Sequence, residues 1–408
     1  MRQHTLLSRL ALACALAALP AAALADDHGS MEPETVTGTE GTSIRIEPLE
    51  TFDGAWAMTF LADGQAIVTE KGGDIWLVGK TGKKRGKIRN APKVTARGQG
   101  GMGDFITDPD FRTNQTVYLS YVERDPEDDS LSGAVVERAK LLLSGNGGSL
   151  SEREIVWKQS PKVKGNGHYG HRLAISPEGS EVGSGMLMIT SGERQKFTPA
   201  QNMDMNLGKV VRIRPDGTVP ADNPFYDQGG VTKEIWSLGH RNPLGMDFDA
   251  EGRLWVHEMG PKHGDELNRI VRSENYGYPE VSNGDHYSDK PIPDHDTNPI
   301  YENPRAYWVP AISPAGFVIY KGSRMPDFTG DGFIGGLSSQ ALVRVGFSMD
   351  ESGNRGGSPS KQGMTVDAEE LERFEWGKRI REVEEGPDGY LYVLEDNEGR
   401  LLRITPAP

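Results

Sequence analysis

Two short segments of this 408-residue chain combine groups that suit the binding of a negatively charged molecule. The first contains Arg241-Asn242 followed by Pro243, and the second, one strand's length further on, contains Gly260-Pro261. The arginine offers a planar fork of donors that fits carboxylate or quinone oxygens. The prolines fix turns that leave neighbouring carbonyls pointing outward, as hard oxygen ligands for calcium must. The pattern therefore indicates a site for an anionic cofactor that is bound together with a metal ion.

Other polar groups lie in loops that are far apart in the sequence. His168 is a candidate general base, because a neutral imidazole can accept a proton near neutral pH. An Arg-x-Arg on a strand points both side chains to one face, so Arg379 and Arg381 can reach the same ligand. Each also has an ordinary interpretation, as a turn histidine or as exposed strand cations. Three further histidines are predicted to be structural, since their spacing fits no zinc signature: His171, His240 and His257.

A repeated turn predicts the elements that must bring these loops together. An Asp or Glu beside Gly or Pro precedes alternating apolar residues at positions 62–64, 108–110, 176–179, 249–252, 331–332 and 386–389. Each copy predicts a tight turn that enters a strand. Recurrence at intervals of roughly fifty to eighty residues is typical of a propeller with irregular insertions. We therefore predict an all-β fold, a six-bladed β-propeller with long inserted loops on one face. Such turns also occur in other all-β proteins, which is the alternative.

The ends of the chain predict its domain organisation and its destination. Residues 1–25 combine early positive charge, including Arg9, with an apolar run and small residues, which is the pattern of a secretory signal peptide. Residues 26–41 are polar, acidic and without periodicity, so we expect a flexible acidic leader there. Residues 42–408 are predicted to form a single propeller domain. The protein is accordingly expected to be periplasmic or secreted after removal of the signal peptide.

Composition limits the classes of partner. The net charge is −14, and loss of Arg2 and Arg9 with the signal peptide makes it −16, which disfavours nucleic acid and anionic membrane surfaces. The apolar run is too short for membrane insertion. Cys14 is the single cysteine and lies in the signal peptide, so the mature chain has no disulfide. The sequence leaves open whether the protein is a monomer or a homodimer.

Between about Asp53 and Arg403, the order of these motifs resembles that of the soluble quinoprotein sugar dehydrogenases, and most of all their aldose sugar dehydrogenase branch. The resemblance implies a propeller that binds pyrroloquinoline quinone and calcium. It also implies that His168 is the general base and that Arg241 acts beside it in catalysis. The positions implied to contact the quinone are Gln99, His168, Arg241, Asn242, Tyr287, Arg379 and Arg381.

The same resemblance implies two calcium sites. The backbone carbonyls of Gly260 and Pro261 match those that bind the cofactor's calcium, and Glu266 and Tyr276 match the ligand positions of a structural calcium. One position departs from the pattern, because Ser338 stands where relatives carry a lysine that approaches the quinone. A polycarboxylate in a pocket of low dielectric depends on paired charge. We therefore expect a weakened cofactor affinity or a changed redox potential.

These features predict an exported dehydrogenase that oxidises the anomeric carbon of an aldose to the lactone by hydride transfer to the quinone, which calcium polarises. The sugar and the natural electron acceptor are left unassigned, because Gly167 and Met259 replace an aspartate and a glutamine of the glucose-oxidising relatives. One alternative is a calcium-dependent lactonase or esterase on a similar propeller, in which His168 would activate water. The other is a non-enzymatic extracellular propeller that binds a ligand.

Overall fold

The computed structural model describes residues 30–347 and 368–408. Within these ranges the regular structure is mostly β-strand, with one α-helix, α1 (Phe111–Asn114), and 3₁₀ helices at Thr198–Ala200, Tyr226–Gln228, Thr232–Glu234, His295–Thr297 and Pro326–Phe328. None of the helices found there has the length and the apolar composition that a membrane span requires. The predicted signal peptide, residues 1–25, lies outside the described residues.

The strands alternate buried and exposed positions where one face meets solvent, as in β2, where Ile44 and Ile46 are buried and Arg45 is half-buried. In chain order the strands are β1 (Glu34–Thr37), β2 (Ser43–Thr51), β3 (Ala55–Phe60), β4 (Ala66–Glu70), β5 (Ile75–Val78), β6 (Lys84–Arg89), β7 (Met102–Thr107), β8 (Thr116–Arg124), β9 (Leu131–Ser144), β10 (Gly147–Lys158), β11 (Val163–Lys164), β12 (Gly170–Ile175), β13 (Leu187–Ser191), β14 (Lys209–Ile213), β15 (Ile235–Leu238), β16 (Pro243–Phe248), β17 (Leu254–Glu258), β18 (Asp265–Arg269), β19 (Ala306–Trp308), β20 (Pro314–Ile319), β21 (Gly332–Gly336), β22 (Ala341–Phe347), β23 (Ala368–Glu375), β24 (Ile380–Glu385), β25 (Leu391–Glu395) and β26 (Arg400–Pro406).

These strands form antiparallel groups of four. Three groups are separate sheets with the orders β12-β13-β14-β15, β16-β17-β18-β19 and β20-β21-β22-β23. Two more, β3 to β6 and β7 to β10, join into one nine-stranded sheet with β11, because β10 pairs in parallel with β6 at Gly148 and Ile88. The last group combines both ends of the chain in the order β2-β26-β25-β24, with β1 added at the outer edge.

The first strand of each group faces the centre of the molecule. These inner strands contact one another in the order β3, β7, β12, β16, β20, β24 and back to β3, which closes a ring. A closed ring of radially arranged antiparallel sheets is a β-propeller with a central channel. The prediction of an all-β propeller is confirmed, and we interpret the strand groups as its six blades.

The repeated turns of the sequence have one structural role. Each joins the first strand of a group to the second, from the turn between β3 and β4 to the turn between β24 and β25. Gly64, Gly252 and Gly389 have φ values of 89°, 77° and 78° in three of these turns, a region that favours glycine. The turns therefore lie at one end of the ring, and the entries to the inner strands lie at the other.

The N-terminal segment differs from its prediction. Residues 34–37, inside the expected flexible leader of residues 26–41, form strand β1 and pair with β2, with Val36 opposite Ile44. Val36 is buried in the apolar core, and the Glu372 carboxylate accepts the N–H group of Thr42 at 2.9 Å. The expectation of a flexible leader is corrected for these residues, because one buried valine and ladder hydrogen bonds hold them on the sheet.

The apolar core lies between neighbouring groups. In one cluster, Leu267 and Trp308 of one group pack with Ile334 and Val343 of the next. The Trp308 indole is buried and donates to Glu370 Oε2 at 2.7 Å, so it serves packing. A rigid ring of this kind positions the loops at its mouth.

Candidate active site

A cavity of about 530 Å³ lies at the end of the ring where the inner strands begin. Every inner strand contributes at or just before its first residues, through Ala55, Gln99, Gly170, Asn242, Ser313 and Arg379. The second strands of several groups end at the same place and contribute Lys71, Met259, Leu337 and Asp396. The volume is in the range of small-molecule sites. Residues that are hundreds of positions apart in the sequence thus share one cavity.

His168 lies beside this cavity in the loop before β12. It is 6% exposed and has a φ of 49°, an uncommon conformation for a residue with a side chain. Its Nδ1 contacts the carboxylate of Glu193, and its backbone N–H donates to Gln99 Oε1 at 2.7 Å. Burial lowers the pKa of His168, so the imidazole is neutral at pH 7. A carboxylate at Nδ1 favours the tautomer in which Nε2 carries the lone pair.

Glu193 is a functional candidate that the sequence reasoning missed. It follows β13 closely, and besides His168 its carboxylate accepts the backbone N–H groups of Lys196 and Phe197, the latter at 2.7 Å. Burial raises the pKa of Glu193, but the hydrogen bond from His168 and these backbone groups bring the pKa below its ordinary value. The residue is therefore ionised and holds the histidine in place. In the sequence Glu193 is one of several charged residues that follow a strand, so no local signal distinguishes it.

Arg241 and Asn242 stand at the entry to β16. The backbone N–H of Arg241 donates to the Glu258 carboxylate, and its Nη1 donates to the carbonyl of Met259 at 2.9 Å. Asn242 lines the cavity and is 1% exposed, and neither of its side-chain polar atoms has a hydrogen-bond partner among the described residues. Buried polar groups are normally paired. An amide without partners at a cavity wall is prepared for a ligand.

Arg379 and Arg381 lie on one face of the start of β24, as the Arg-x-Arg spacing predicts. Arg379 Nε is 2.8 Å from Asp396 Oδ2, and Arg381 Nη2 is 2.6 Å from Oδ1 of the same carboxylate. All three residues line the cavity, and we call them the rim cluster. Burial raises the pKa of Asp396, but the two arginines bring it below its ordinary value. Two cations and one anion leave a net positive charge at the cavity wall.

Gly260 and Pro261 form a tight loop after β17. The N–H of Gly260 donates to Asp265 Oδ1 at 2.9 Å, and a Cβ at Gly260 would overlap the carbonyl of Gly264, so only glycine fits. Within residues 30–347 and 368–408, no N–H group donates to the carbonyl of Gly260 or Pro261. Carbonyls without donors are the type of ligand that calcium takes. The part of the chain that the structure describes holds no group of three or more His, Cys, Asp or Glu residues suited to a metal.

Glu266 and Tyr276 belong to a buried polar network behind Arg241. Glu266 Oε1 lies 2.9 Å from His295 Nε2, and its other oxygen accepts from Asn268 at 3.2 Å. The Tyr276 ring stacks on His240 at 4.7 Å, and its hydroxyl donates to a backbone carbonyl. The two side chains thus have different protein partners, and the structural calcium between their positions stays a prediction.

The comparison with protein families gives an identification. The family model described as glucose/sorbosone dehydrogenase matches residues 52–403. The chain belongs to this family. Its similarity to the aldose sugar dehydrogenase YliI of Escherichia coli (strain K12) is 34% identity over 372 residues, or 89% of this chain and 93% of that protein. It is also 30% identical over 261 residues to quinoprotein glucose dehydrogenase B of Acinetobacter calcoaceticus, covering 57% and 53% of the two chains.

Solved structures agree with the family assignment. The apo-form of the soluble aldose sugar dehydrogenase from Escherichia coli superimposes with a TM-score of 0.79 at 32% identity, covering 89% of this chain and all (100%) of the other. The PQQ-bound aldose sugar dehydrogenase from Streptomyces coelicolor has a TM-score of 0.67 at 23% identity and covers 92% and 99% of the two chains. The second likeness supports the fold alone.

Three further residues of this glucose/sorbosone dehydrogenase family member lie in or near the cavity. Tyr287 is 74% exposed and lies outside the cavity lining, and its ring centre is 6.0 Å from the Arg241 guanidinium carbon. Ser338 is exposed and donates to the Ala311 carbonyl at 3.1 Å, beside the cavity rather than in its lining. Lys71, which was not predicted, supplies a cation to the lining, and its Nζ donates to the Gly98 carbonyl at 2.5 Å.

Trp56 lines the cavity and packs against two side chains next to it. Its ring stacks on His171 at 5.1 Å, and the guanidinium of Arg172 lies 4.3 Å from the ring centre. Arg172 contacts the carboxylate of Glu382 and lies 3.6 Å from Asp104 Oδ1. We call Arg172, Glu382 and Asp104 the deep cluster, because they lie further along the inner strands than the cavity residues. Burial raises the pKa of Glu382 to about 7 against the effect of Arg172.

The three histidines predicted to be structural, His171, His240 and His257, are buried. Burial lowers the pKa of both His171 and His257 to about 3, so both rings are neutral. His171 Nδ1 lies 2.9 Å from the Ser120 hydroxyl, although the ring also lines the cavity. His240 Nδ1 lies 2.8 Å from Glu258 Oε1, the carboxylate that also holds the Arg241 backbone. Through Glu258, His240 thus helps to hold the backbone of Arg241.

Proposed function

We propose that this family member is an exported quinoprotein that oxidises the anomeric carbon of an aldose to the lactone. The observation that carries the proposal is the cavity itself, in which the unpartnered Asn242 amide and the Arg379 and Arg381 guanidiniums converge at the mouth of the ring. Positive charge and free donors in a buried cavity suit a polycarboxylated quinone. The names of two relatives, a quinoprotein glucose dehydrogenase and an aldose sugar dehydrogenase, point the same way.

The residues present fit pyrroloquinoline quinone and calcium. Arg379 and Arg381 would hold the cofactor's carboxylates, and Gln99 and Asn242 would donate to its ring oxygens. The carbonyls of Gly260 and Pro261, which face no donor among the described residues, would ligate the calcium, and Tyr287 would close the outer side. When bound, the quinone supplies the two-electron acceptor for the sugar's hydride.

The chain's own residues would supply proton transfer and charge stabilisation. His168, neutral and oriented by Glu193, would accept the proton of the anomeric hydroxyl on Nε2. Arg241 would stabilise the negative charge that develops on the acceptor through its own positive charge. The hydrogen bond to the Met259 carbonyl fixes the guanidinium in position for this role. His168, Arg241 and Asn242 are each at most 6% exposed, and this limited contact with water strengthens their electrostatic interactions.

The proposal is tested by reconstitution. Purified protein is loaded with quinone and calcium, and reduction of an artificial dye is followed with a panel of aldoses. Activity that requires both additions and is lost in His168→Ala supports the proposal. Absence of turnover with every aldose, together with no quinone retained after gel filtration, would overturn it.

The lactonase alternative is less well supported. Among the described residues that line the cavity, Lys71, Arg379 and Arg381 are cations, and Asp396 is the carboxylate. A calcium that activates water for ester hydrolysis needs several converging carboxylates. The same reconstitution distinguishes the two functions, since a lactonase would hydrolyse lactones without added quinone.

Export is part of the proposal. It depends on the sequence of residues 1–25, which lie outside the described residues, and predicts a mature protein that begins at Asp26. Amino-terminal sequencing of the protein from a periplasmic or culture fraction tests it. An intact N-terminus in the cell interior would contradict it.

A further inference from the structure

Four ring side chains form a cluster near the cavity, in which Tyr278 is buried and the other three rings contact solvent. Phe197 and Tyr287 keep 47% and 74% of their surface exposed. The Phe197 ring stacks on Tyr278 at 6.4 Å and meets the edge of His286 at 5.6 Å. The Arg241 guanidinium carbon lies 5.8 Å from the Tyr278 ring centre and 6.0 Å from that of Tyr287. We call these four rings the aromatic wall, and through Arg241 the wall is continuous with the candidate active site.

The backbone holds the wall in a fixed place relative to the base. One oxygen of Glu193 contacts His168 Nδ1, and the other accepts the N–H of Phe197 at 2.7 Å. Arg194, Gln195 and Phe197 have φ values of 64°, 60° and 63°, although none is glycine. Such conformations cost free energy and persist where the surroundings impose them, often at functional sites. The loop therefore keeps a large apolar ring in contact with solvent at a fixed distance from the base.

The wall also carries polar groups at its edge. His286 and Tyr287 lie in a turn in which the Lys262 N–H donates to the Asp285 carbonyl at 2.8 Å, and the Lys262 ammonium pairs with Asp289. Sugar rings present a face of C–H groups that packs on aromatic rings and a rim of hydroxyls that bonds to charged side chains. An aromatic face with charged groups at its edge matches that chemistry.

We propose that the aromatic wall binds the second and third rings of an oligosaccharide whose reducing-end ring enters the cavity. The substrates that bind best are then chains of two or more sugar units. This inference rests on the proposed function for the identity of the reacting ring, but the binding of the outer rings does not depend on oxidation. Phe197 is the central residue, because its ring touches both Tyr278 and His286.

The test compares glucose with maltotriose and cellotriose on the reconstituted enzyme. Phe197→Ala should raise KM for at least one of the trimers about tenfold, which corresponds to about 1.4 kcal/mol. The kcat for that trimer relative to the kcat for glucose should stay within about twofold, since the interaction is uniform binding remote from the reacting carbon and any effect on Glu193 through the Phe197 backbone is common to both sugars. Phe197→Tyr should restore the wild-type values, because it keeps an aromatic face. Tyr307→Ala, which removes a ring that is 57% exposed on the outer strand β19, is the matched control and should change nothing.

A binding measurement separates this inference from the proposed function. Protein without quinone is titrated with each trimer by calorimetry, and wild type should bind more tightly than Phe197→Ala and as tightly as Tyr307→Ala. Trimer binding at the wall in a protein that oxidises no sugar would overturn the proposed function and leave the wall in place. Oxidation of glucose and trimers with the same KM, or equal trimer binding by wild type and Phe197→Ala, would overturn the wall.

Discussion

The rim cluster and the deep cluster both combine arginine with carboxylate side chains in the same channel, but in opposite proportions. The rim has two cations and one carboxylate, and the deep cluster has one cation and two carboxylates. At the rim, Arg379 and Arg381 share the single carboxylate of Asp396 and border the cavity. Deeper, Arg172 is shared by Glu382 and Asp104, and all three are buried. The rim keeps unneutralised positive charge for a ligand, whereas the deep cluster has no cation to spare. Their difference indicates that the first serves binding and the second holds the inner strands together.

The comparison predicts that substitutions at the mouth of the channel change activity or binding, and that substitutions below it change stability. The largest effect is expected for His168→Ala, which removes the group that accepts the substrate proton. General base catalysis typically contributes about 10²–10⁴-fold, so kcat should fall by about that factor. Steady-state kinetics measures the loss. Retention of quinone by the variant shows that the site is intact, and a normal kcat would exclude His168 as the base.

The deep cluster is expected to dominate stability. Arg172→Met leaves two buried carboxylates without their cation, and breaking a buried ion pair costs about 3–5 kcal/mol. Urea denaturation measures the free energy of unfolding. Arg381→Met at the half-buried rim is the matched control and should cost about 1 kcal/mol or less. Adding Glu382→Gln to Arg172→Met should recover part of the loss. Equal destabilisation by the two arginine variants would remove the distinction between the clusters.

For quinone binding, in contrast to stability, we expect the rim variant Arg381→Met to have a larger effect than the deep variant Arg172→Met. Arg381→Met removes a charged donor from the cavity wall, and a hydrogen bond to a charged group contributes about 1.5–3 kcal/mol. The Kd for the quinone should therefore rise by about ten- to a hundredfold, as measured by fluorescence quenching. Lys140→Met, which lies on β9 away from the cavity lining, should leave the Kd unchanged. Loss of affinity in the control alone would place the quinone elsewhere.

The smallest effect concerns pH. Burial lowers the pKa of His168, so the midpoint of the decline in kcat/KM at acid pH, where the imidazole becomes protonated, should lie below the ordinary value of about 6.5. Glu193 favours the protonated form, so Glu193→Gln should move this decline to still lower pH. A pH profile of the reconstituted enzyme measures both. A midpoint above pH 6.5 would show that the histidine is not buried as described.

Much of the fold and part of the site follow from local sequence. The acidic turns marked the connection between the first and second strand of every group, and the loop residues Gln99, Asn242, Arg379 and Arg381 meet at one cavity. These signals are short and act within a few residues. The order of the inner strands around the ring follows the chain, whereas the pairing of β2 with β26, which joins the two ends of the chain in the last group, does not follow from chain order.

Other features could not be predicted because they depend on how separate strands meet. Glu193 and Lys71 are ordinary charged residues after strands, and only the closed ring places them beside His168 and the cavity. Asp396 gains its role from being opposite two arginines on the neighbouring strand. Strand β1 is four residues long and alternates around the single apolar Val36, too little for a periodic signal.

The central claim is that the inner strands bring their first residues together around one anionic redox cofactor. Diffraction from crystals grown with pyrroloquinoline quinone and calcium tests it most directly. The account predicts density for one quinone per chain in the cavity, within hydrogen-bond distance of Asn242 and the two rim arginines. An empty cavity in crystals whose quinone lies elsewhere on the protein would contradict it.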